Sequence, residues 1–434
     1  MRFSLRTALL AGFTPLALLA CGEAASDQDS SPAVPEVRAD VDRDDTRPVT
    51  DTAVGAVVAG QNTFGLAFYR AVAAGTTGNL FCSSMSAHQA LSMAYAGARG
   101  ETRAAMAGTL RATDDDESFH GAQNTLAQAV TAPVPEDRLP EGAEAPIVRL
   151  QNALFPQEGF PIDAAYLERL ARSYGAGAVP VDYRSDAEGA RGTINLWVAD
   201  VTAGRIPELL QPGQVGAGTV LTLVNAVYFL GKWSEAFLPE STFPQVFHAA
   251  AGDAEVPFMH HTFEGVAAAV TPEFTAVSLP YAGGALSFLA LAPTGDLADF
   301  EAGLTDETLS AAVAALTTER TDLAMPGFEL RSRYELKPVL TTLGMGVAFS
   351  DAADFHGIAS GLDLKISEVV QEAWVKVDES GTEAAAATAV VFDAGAALEP
   401  EPARQIALDR PFVFLIRHEA TGAVVFMGRV ADPR

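Results

Sequence analysis

The chain has 434 residues, a formal net charge of −27 and 49% hydrophobic residues. Because a chain of this hydrophobic content can bury a large core, a wholly disordered, collagenous or coiled-coil protein is excluded. Its acidic balance repels phosphate and sulfate groups, so neither nucleic acid nor heparin is expected as a partner. Beyond the N-terminus there is no apolar run of 18 or more residues, so no membrane-spanning helix is predicted there.

Residues 1–20 have the pattern of a bacterial lipoprotein signal peptide. Arg2 and Arg6 precede an apolar stretch from Ala8 to Ala20, which is shorter than a membrane span. The run Leu18-Leu19-Ala20-Cys21 resembles a lipobox, in which the cysteine is lipidated and becomes the new N-terminus. An ordinary secretory signal with a chance cysteine is the alternative. We favour lipidation of Cys21 because the chain has only 2 cysteines.

The signal predicts secretion across the inner membrane and a lipid anchor in a membrane, at the outer membrane or the cell surface. Residues 21–52 are acidic and poor in large apolar side chains, so we interpret them as a disordered tether. The second cysteine, Cys82, lies in the apolar run Leu80-Phe81-Cys82 and is expected to be a buried core residue without a disulfide.

From residue 53 to residue 434 the sequence is globular, and neither a linker nor a repeat divides it. The first half is mostly helical, and Asp114–Glu117 is interpreted as a solvated acidic turn. Hydrophobic spacing and capping residues predict helices near residues 57–72, from a cap at Ser86 to Gly97, from Gly100 to Leu110, and around Ile194–Val201.

Strands dominate the second half. Thr219–Leu230 is a nearly continuous apolar run, which predicts a central strand buried on both faces. A further helix is predicted near Leu304–Leu316. Other strands are predicted at Ala276–Pro280, Leu286–Ala292, Leu362–Val377, Pro411–Arg417 and Ala423–Val430. Helices early and strands late indicate an α+β fold.

Motifs of catalysis are missing from the sequence. There is no nucleophile elbow, phosphate-binding loop, zinc-protease helix or dinucleotide-binding glycine pattern. The adjacent His260 and His261 would point to opposite faces of a strand, so they are interpreted as surface residues and not as metal ligands. We therefore predict no catalytic residue, no metal and no cofactor, and a hydrolase with an unrecognised site is the least favoured function.

The most informative segment runs from Val377 to Phe392. Its alanine run would ordinarily favour a helix, because alanine is the best helix former. If the segment is extended, small side chains alternate between two faces, and no proline blocks the hydrogen bonds of a sheet. Such a stretch can slide between two strands and complete both ladders.

This segment resembles the hinge of the reactive-centre loop of serpins, the serine protease inhibitors. The similarity extends over about residues 55–430, with other matches in the family's order at Asn79–Ser86, Gly97–Thr102, Ile194–Val198, Leu223–Trp233, Asp354-Phe355, Arg410–Phe412 and Phe426–Val430. The hinge residues it implies are Glu379, Gly381, Thr382, Glu383, Ala384, Ala385, Ala386, Ala387 and Thr388.

The resemblance implies a serpin fold in residues 53–434: three β-sheets, eight to nine helices and an exposed reactive-centre loop. It also implies inhibition of a serine protease as a suicide substrate. The protease cleaves the loop and forms an acyl-enzyme, and the freed loop inserts as a new strand and traps it. The alternative is a non-inhibitory serpin-fold lipoprotein that acts as a binding or scaffold module. A monomer is expected in either case.

The resemblance also assigns individual residues. Counting from the hinge places the reactive bond between Gly395 and Ala396, with Phe392, Ala394, Ala397 and Leu398 left open. Small residues there favour an elastase-like or subtilisin-like serine protease, and Leu398 keeps a chymotrypsin-like one open. The polar cluster under the sheet, called the shutter, would contain Ser83, Ser86, Asn225 and Gln371. Trp233 would mark the top of the sheet, called the breach.

Two residues depart from the family pattern. Ser84 stands where the family usually has proline, and Gln371 stands where the shutter usually has histidine. Glutamine can donate and accept hydrogen bonds, so the polar cluster can be rewired without an imidazole.

Overall fold

The computed structural model describes residues 36–44, 51–113, 115–140, 143–382 and 402–434. Its helices are α1 (Asp51–Ala74), α2 (Ser84–Gly97), α3 (Gly100–Leu110), α4 (Asp116–Thr131), α5 (Ala164–Tyr174), α6 (Ala187–Val201), α7 (Leu297–Ala302), α8 (Asp306–Ala315) and α9 (Lys337–Leu340). Its strands are β1 (Leu80–Cys82), β2 (Ile147–Pro156), β3 (Leu221–Lys232), β4 (Thr242–Ala249), β5 (Gly252–Val270), β6 (Phe274–Pro280), β7 (Leu286–Pro293), β8 (Thr317–Pro326), β9 (Phe328–Glu335), β10 (Glu368–Asp378), β11 (Gly381–Thr382), β12 (Arg404–Ala407), β13 (Phe412–His418) and β14 (Ala423–Val430).

The predicted helices are confirmed, with two corrections at their starts. Helix α2 begins two residues before the expected cap Ser86, because the Ser83 hydroxyl accepts the Ser86 backbone N–H at 3.2 Å. Residues 115–117 of the acidic stretch form the start of a helix and not a free turn, since the Asp115 carboxylate accepts the Glu117 N–H at 3.1 Å. Helices α4 and α5 were not predicted.

A five-stranded sheet has the order β2-β3-β11-β10-β9. Strands β3 and β10 run parallel and pair directly over seven residue pairs, from Thr222 with Glu368 to Tyr228 with Trp374. Beyond these pairs the short strand β11 lies between them and pairs with both. The predicted central strand is thus confirmed, and the sheet parts at one end around a third strand.

The remaining strands form one nine-stranded network in the order β1-β14-β13-β7-β6-β5-β8-β12, with β4 on β5. Three sheets were expected, and two of them are joined here because β5 is 19 residues long. Its first part pairs with β4 and β8, and its end, Ala267–Val270, pairs with β6. A register shift between Phe263 and Val266 marks the change.

Both faces of the five-stranded sheet are covered. On one face, α6 places Ile194, Trp197 and Val198 against Val224 of β3 and Val370 of β10. On the other, α2 is almost entirely buried. Cys82 is fully buried and free, as predicted, and burial raises the pKa of its thiol.

Residues 36–44 differ from the predicted disordered tether, because they lie against the domain. Val37 pairs with Ala178 through backbone hydrogen bonds of 2.7 and 2.9 Å. Arg43 and Asp44 contact α4 and α5. Charges that were expected to remain in solvent therefore have partners on the domain. Within the described ranges, no helix is long and apolar enough to cross a membrane.

Candidate functional site: the parting of strands β3 and β10

Strand β11 acts as a wedge at the end where β3 and β10 separate. Gly381 pairs with Lys232 and Asp378, and Thr382 pairs with Gly231 and Val377. Gly381 has a φ of +147°, and a Cβ built on it would lie 2.2 Å from the Gly231 carbonyl oxygen. Only glycine fits this close approach of two backbones. Two of the predicted hinge residues, Gly381 and Thr382, are thus already part of the sheet.

Aromatic side chains close the sheet above the wedge. The buried Thr382 hydroxyl lies 2.8 Å from the hydroxyl of Tyr281, whose ring stacks on Trp233 with centroids 4.8 Å apart. Burial raises the pKa of Tyr281, so its neutral hydroxyl is retained. The indole N–H of Trp233 donates to the carbonyl of Asp378 at 3.0 Å. Tyr281 was not among the residues predicted from the sequence.

Glu379 holds the turn that leads into β11. Its carboxylate accepts the Thr242 hydroxyl at 2.7 Å, and its carbonyl accepts the Phe237 backbone N–H at 2.9 Å. The Trp233 backbone N–H donates to the carbonyl of Ser380 at 2.9 Å. The turn is therefore fixed to β4 and to the segment after β3, and this fixes where any continuation of the chain enters the gap.

A buried polar cluster joins β3 and β10 where they are closed. Gln371 of β10 donates from Nε2 to the Asn225 side-chain oxygen of β3 at 2.6 Å and to the Ser83 carbonyl at 2.9 Å. The Ser83 backbone N–H donates back to Gln371 Oε1 at 3.1 Å. All three residues are 1% exposed or less, so these bonds are made without competition from water.

Asn225 extends the cluster to α2 and β2. Its Nδ2 donates to the Ser86 hydroxyl and to Asn152 Oδ1. The Ser83 hydroxyl donates to the Val425 carbonyl at 2.8 Å. The structure therefore brings the four predicted shutter residues together and adds Asn152, which sequence reasoning missed. Every side chain in this cluster is an amide or a hydroxyl, so no proton transfer is needed to break it.

Ser84, the other residue that departs from the family pattern, is buried beside the cluster. Its hydroxyl has no hydrogen-bond partner among the described residues, and a Cβ on Gly65 would lie 2.7 Å from it. Because a buried, unpaired hydroxyl costs about 1–3 kcal/mol, Ser84 lowers the stability of this region.

Other predicted residues lie elsewhere. Nine of the predicted residues are outside the described residues: Glu383, Ala384, Ala385, Ala386, Ala387, Thr388, Gly395, Ala396 and Cys21. His260 and His261 point to different sides of β5, and both are half-buried: His260 stacks on Phe243, and His261 Nε2 lies 2.6 Å from Glu235 Oε1. In the part of the chain that the structure describes, no three His, Cys, Asp or Glu residues group as metal ligands.

These features define a class of protein: an α+β domain whose five-stranded sheet parts around the short strand β11. A family model described as "Serpin (serine protease inhibitor)" matches residues 59–433. The chain belongs to the serpin family, and its described part has the serpin fold.

Individual relatives agree with the family assignment. An uncharacterized serpin-like protein of Thermococcus kodakarensis is 34% identical over 379 residues, 87% of this chain and 86% of the relative. Leukocyte elastase inhibitor A of Mus musculus is 34% identical over 369 residues, 82% of this chain and 94% of the relative. The structure of uncleaved ovalbumin superposes with a TM-score of 0.77 at 27% identity, covering 87% of this chain and all of that one.

Proposed function

We propose that this protein inhibits a serine protease by trapping it, with cleavage of the reactive-centre loop and insertion of the loop between β3 and β10. The observation that carries this proposal is the wedge. Thr382 and Gly381 already occupy the position of an additional strand and make backbone pairs on both sides. From Gly381 to Thr382, β11 runs antiparallel to both neighbours and toward the seam between β3 and β10.

The register of β11 defines what insertion would bring together. If the pairing continues, residues 383–391 come to lie between Thr222–Leu230 of β3 and Glu368–Lys376 of β10. Alanines 384 and 386 then face the side on which Val375 and Ala373 are fully buried. Glu383 falls on the opposite face, beside the half-buried Leu230 and Lys376. Small side chains thus meet the core, and the charged one meets solvent.

The same register places Thr388 between Asn225 and Gln371. Their direct hydrogen bond of 2.6 Å must break when the strands part, and a threonine hydroxyl can donate to one amide and accept from the other. With roughly 1 kcal/mol of net stabilisation for each new backbone hydrogen bond, insertion of nine residues supplies on the order of 10 kcal/mol. A gain of this size makes insertion effectively irreversible.

The class of the target protease is inferred from the residues around the proposed reactive bond. Small residues around Gly395 and Ala396 support cleavage by an elastase-like or subtilisin-like protease. The relative named as a leukocyte elastase inhibitor supports a protease partner in general. Leu398 would extend the range to a chymotrypsin-like enzyme if cleavage occurred there.

We also propose secretion and lipid anchoring through Cys21, and we infer how the anchored domain is oriented relative to the membrane. Val37 lies in a row with Ala178, Leu154 and Leu223, near the start of β3. The wedge at Gly231 and Lys232 is roughly 30 Å away along that strand. Because Val37 runs antiparallel to Ala178, Glu36 lies on the side of Val37 that faces away from the wedge. An anchor there would present the loop away from the membrane.

The test is incubation of the purified protein with an elastase-like and a subtilisin-like protease. We expect a covalent complex that survives SDS, and mass spectrometry of the released fragment should identify the cleaved bond. Cleavage of the loop alone should raise the melting temperature strongly. Turnover by every protease, with no such rise, would contradict the proposal and indicate the non-inhibitory alternative.

A matched pair of variants tests the insertion register. Ala386→Arg places a charge on the face that becomes buried, so the inhibitor should become a substrate. Glu383→Arg carries the same side chain on the solvent face and should retain complex formation. Equal inhibition by both variants would refute the register.

A further inference from the structure

Residues 36–44 form a strap along one edge of the five-stranded sheet. At one end, Val37 pairs with Ala178, and Ala178 in turn bridges to Leu154 of β2. At the other end, Arg43 Nε donates to Asn124 Oδ1 of α4 at 2.7 Å. The Asp44 carbonyl accepts from the Asn124 amide, so the strap and α4 exchange hydrogen bonds in both directions.

The strap also closes the end of α5. The Asp44 backbone N–H donates to the carbonyl of Arg172 in the last turn of α5 at 2.9 Å. The Arg172 guanidinium lies 3.2 Å from the Asp44 carboxylate. One short segment therefore contacts the sheet edge, α4 and α5.

The receiving surface is shaped for this segment. A Cβ on Gly177 would lie 2.5 Å from the Val37 carbonyl oxygen and 2.9 Å from the Glu36 carboxylate, which accepts the Gly177 N–H. Gly175, with a φ of +63°, leaves room for Arg43, whose Cδ would be 3.0 Å from a Cβ there. Two glycines within three residues thus make space for the strap.

The two ends of the strap lie on parts of the fold that must separate. Entry of a strand between β3 and β10 moves β3, β2 and Ala178 by one strand spacing, about 4.8 Å, relative to β10. Helix α4 packs on α1, whose Gln61 and Asn62 donate to the carbonyls of Val424 and Gly422 at 3.3 and 3.0 Å. Helix α4 is thereby held to the nine-stranded network.

We propose that the strap is a restraint on sheet opening: it ties the β2 edge to α4 and slows the separation of β3 from β10 until the loop is cleaved. The hydrogen bond of 2.7 Å between Arg43 and Asn124 of α4 does not survive a shift of one strand spacing, so it must break as the sheet expands. The inference rests on the proposed function in taking this expansion as the working motion of the molecule.

The test compares two variants of the full chain with two matched controls. Arg43→Ala removes the bond to Asn124 from the strap side, and Gly177→Ala displaces the strap from the receiving side. Arg38→Ala removes the same charge from an exposed residue for which the structure gives no bond. Gly216→Ala adds a methyl group where nothing lies within 4 Å.

The readout is amide hydrogen exchange of Thr222–Tyr228 and Glu368–Trp374 in the uncleaved protein. We expect about fivefold faster exchange in Arg43→Ala and Gly177→Ala, the effect of one lost net hydrogen bond. The controls should match the parent chain. Equal exchange in all four variants would overturn the restraint.

The proposed function fails by a different observation. If the melting temperature of the parent chain does not rise after loop cleavage, trapping by insertion is wrong, whatever the strap does. If it rises and the strap variants exchange like the controls, trapping stands and the restraint is wrong.

Discussion

The seam between β3 and β10 has a closed end and an open end. At the closed end, Thr222–Tyr228 pairs directly with Glu368–Trp374, and the bond between Asn225 and Gln371 crosses the seam. At the open end, β3 and β10 no longer pair with each other, and each pairs with Gly381 and Thr382 of β11. The two strands are thus stabilised at the closed end by their direct pairing and by the bond between Asn225 and Gln371. At the open end they are stabilised by β11, which pairs with both.

This difference separates where insertion begins from what resists it. The open end already has the geometry of the expanded sheet, so entry there costs little further rearrangement. At the closed end, buried amides must lose partners before new ones arrive, and an unpaired buried polar group costs about 1–3 kcal/mol. The barrier to sheet expansion is therefore expected at the polar cluster.

The largest expected effect is a loss of stability at low pH, and its source is a buried histidine outside the seam. In α2, His88 donates from Nε2 to the Leu110 carbonyl at 2.9 Å, and its Nδ1 faces the Gln123 amide at 3.0 Å. Burial lowers the pKa of His88 to about 4. The unfolded chain therefore binds the proton more tightly than the fold. The contribution of His88 to the free energy of unfolding is complete above about pH 6.5 and falls by about 3 kcal/mol toward pH 4.

Unfolding midpoints between pH 7 and pH 4 measure this effect. The His88→Gln variant should show a shallower loss. The polar cluster contains no titratable side chain, so Gln371→His should add a pH response that the parent cluster lacks. If His88→Gln kept the full acid response, the burial of this imidazole would not be its source.

The next effect breaks the closed end. Gln371→Ala leaves the Ser83 N–H and the Asn225 side-chain oxygen without their partner, so we expect a loss of about 2–3 kcal/mol. Amide exchange of Glu368–Trp374 should quicken by an order of magnitude or more. Gln405→Ala, at an exposed position of β12, serves as the matched control. Unchanged exchange in Gln371→Ala would place the resistance elsewhere.

A smaller effect is expected at the open end. Thr382→Val keeps the shape of the side chain and removes the hydroxyl that meets Tyr281, at a cost of about 1 kcal/mol. Exchange should quicken at Gly381 and Thr382 and stay unchanged at the closed end. Equal acceleration at both ends would mean that the seam opens as one unit.

The smallest expected effect is a gain in stability. Ser84→Ala removes the buried hydroxyl without a partner, and the melting temperature should rise by the equivalent of about 1 kcal/mol. Ser84→Pro should also be tolerated, because Ser84 is the first residue of α2 and proline fits that position. A fall in melting temperature for Ser84→Ala would show that the hydroxyl has a partner.

The sequence was most informative where one local pattern decides the structure. The apolar run of β3 and the spacing of Ile194, Trp197 and Val198 in α6 both required burial, and both elements were predicted. The hairpin of β4 and β5 was missed, because the exposed Phe243 and the half-buried His260 interrupt its alternation.

Contacts between residues far apart in the sequence could not be predicted from local patterns. Tyr281 meets Thr382 across 101 residues, and Asn152 meets Asn225 across 73, so only the register of the sheets brings them together. Residues 36–44 were taken for solvated chain because their charges gave no sign of Asn124 and Arg172 as partners. The family resemblance supplied the shutter residues, and periodicity alone would not have grouped them.

The strands on the far side of the loop have a consequence for the cleaved molecule. Residues 402–434 contribute β12, β13 and β14, and β13 and β14 are almost entirely buried within the nine-stranded network. After the peptide bond is cut, this short C-terminal piece remains held by its neighbours on both sides. The two fragments should elute as a single particle under native conditions and separate only in denaturant.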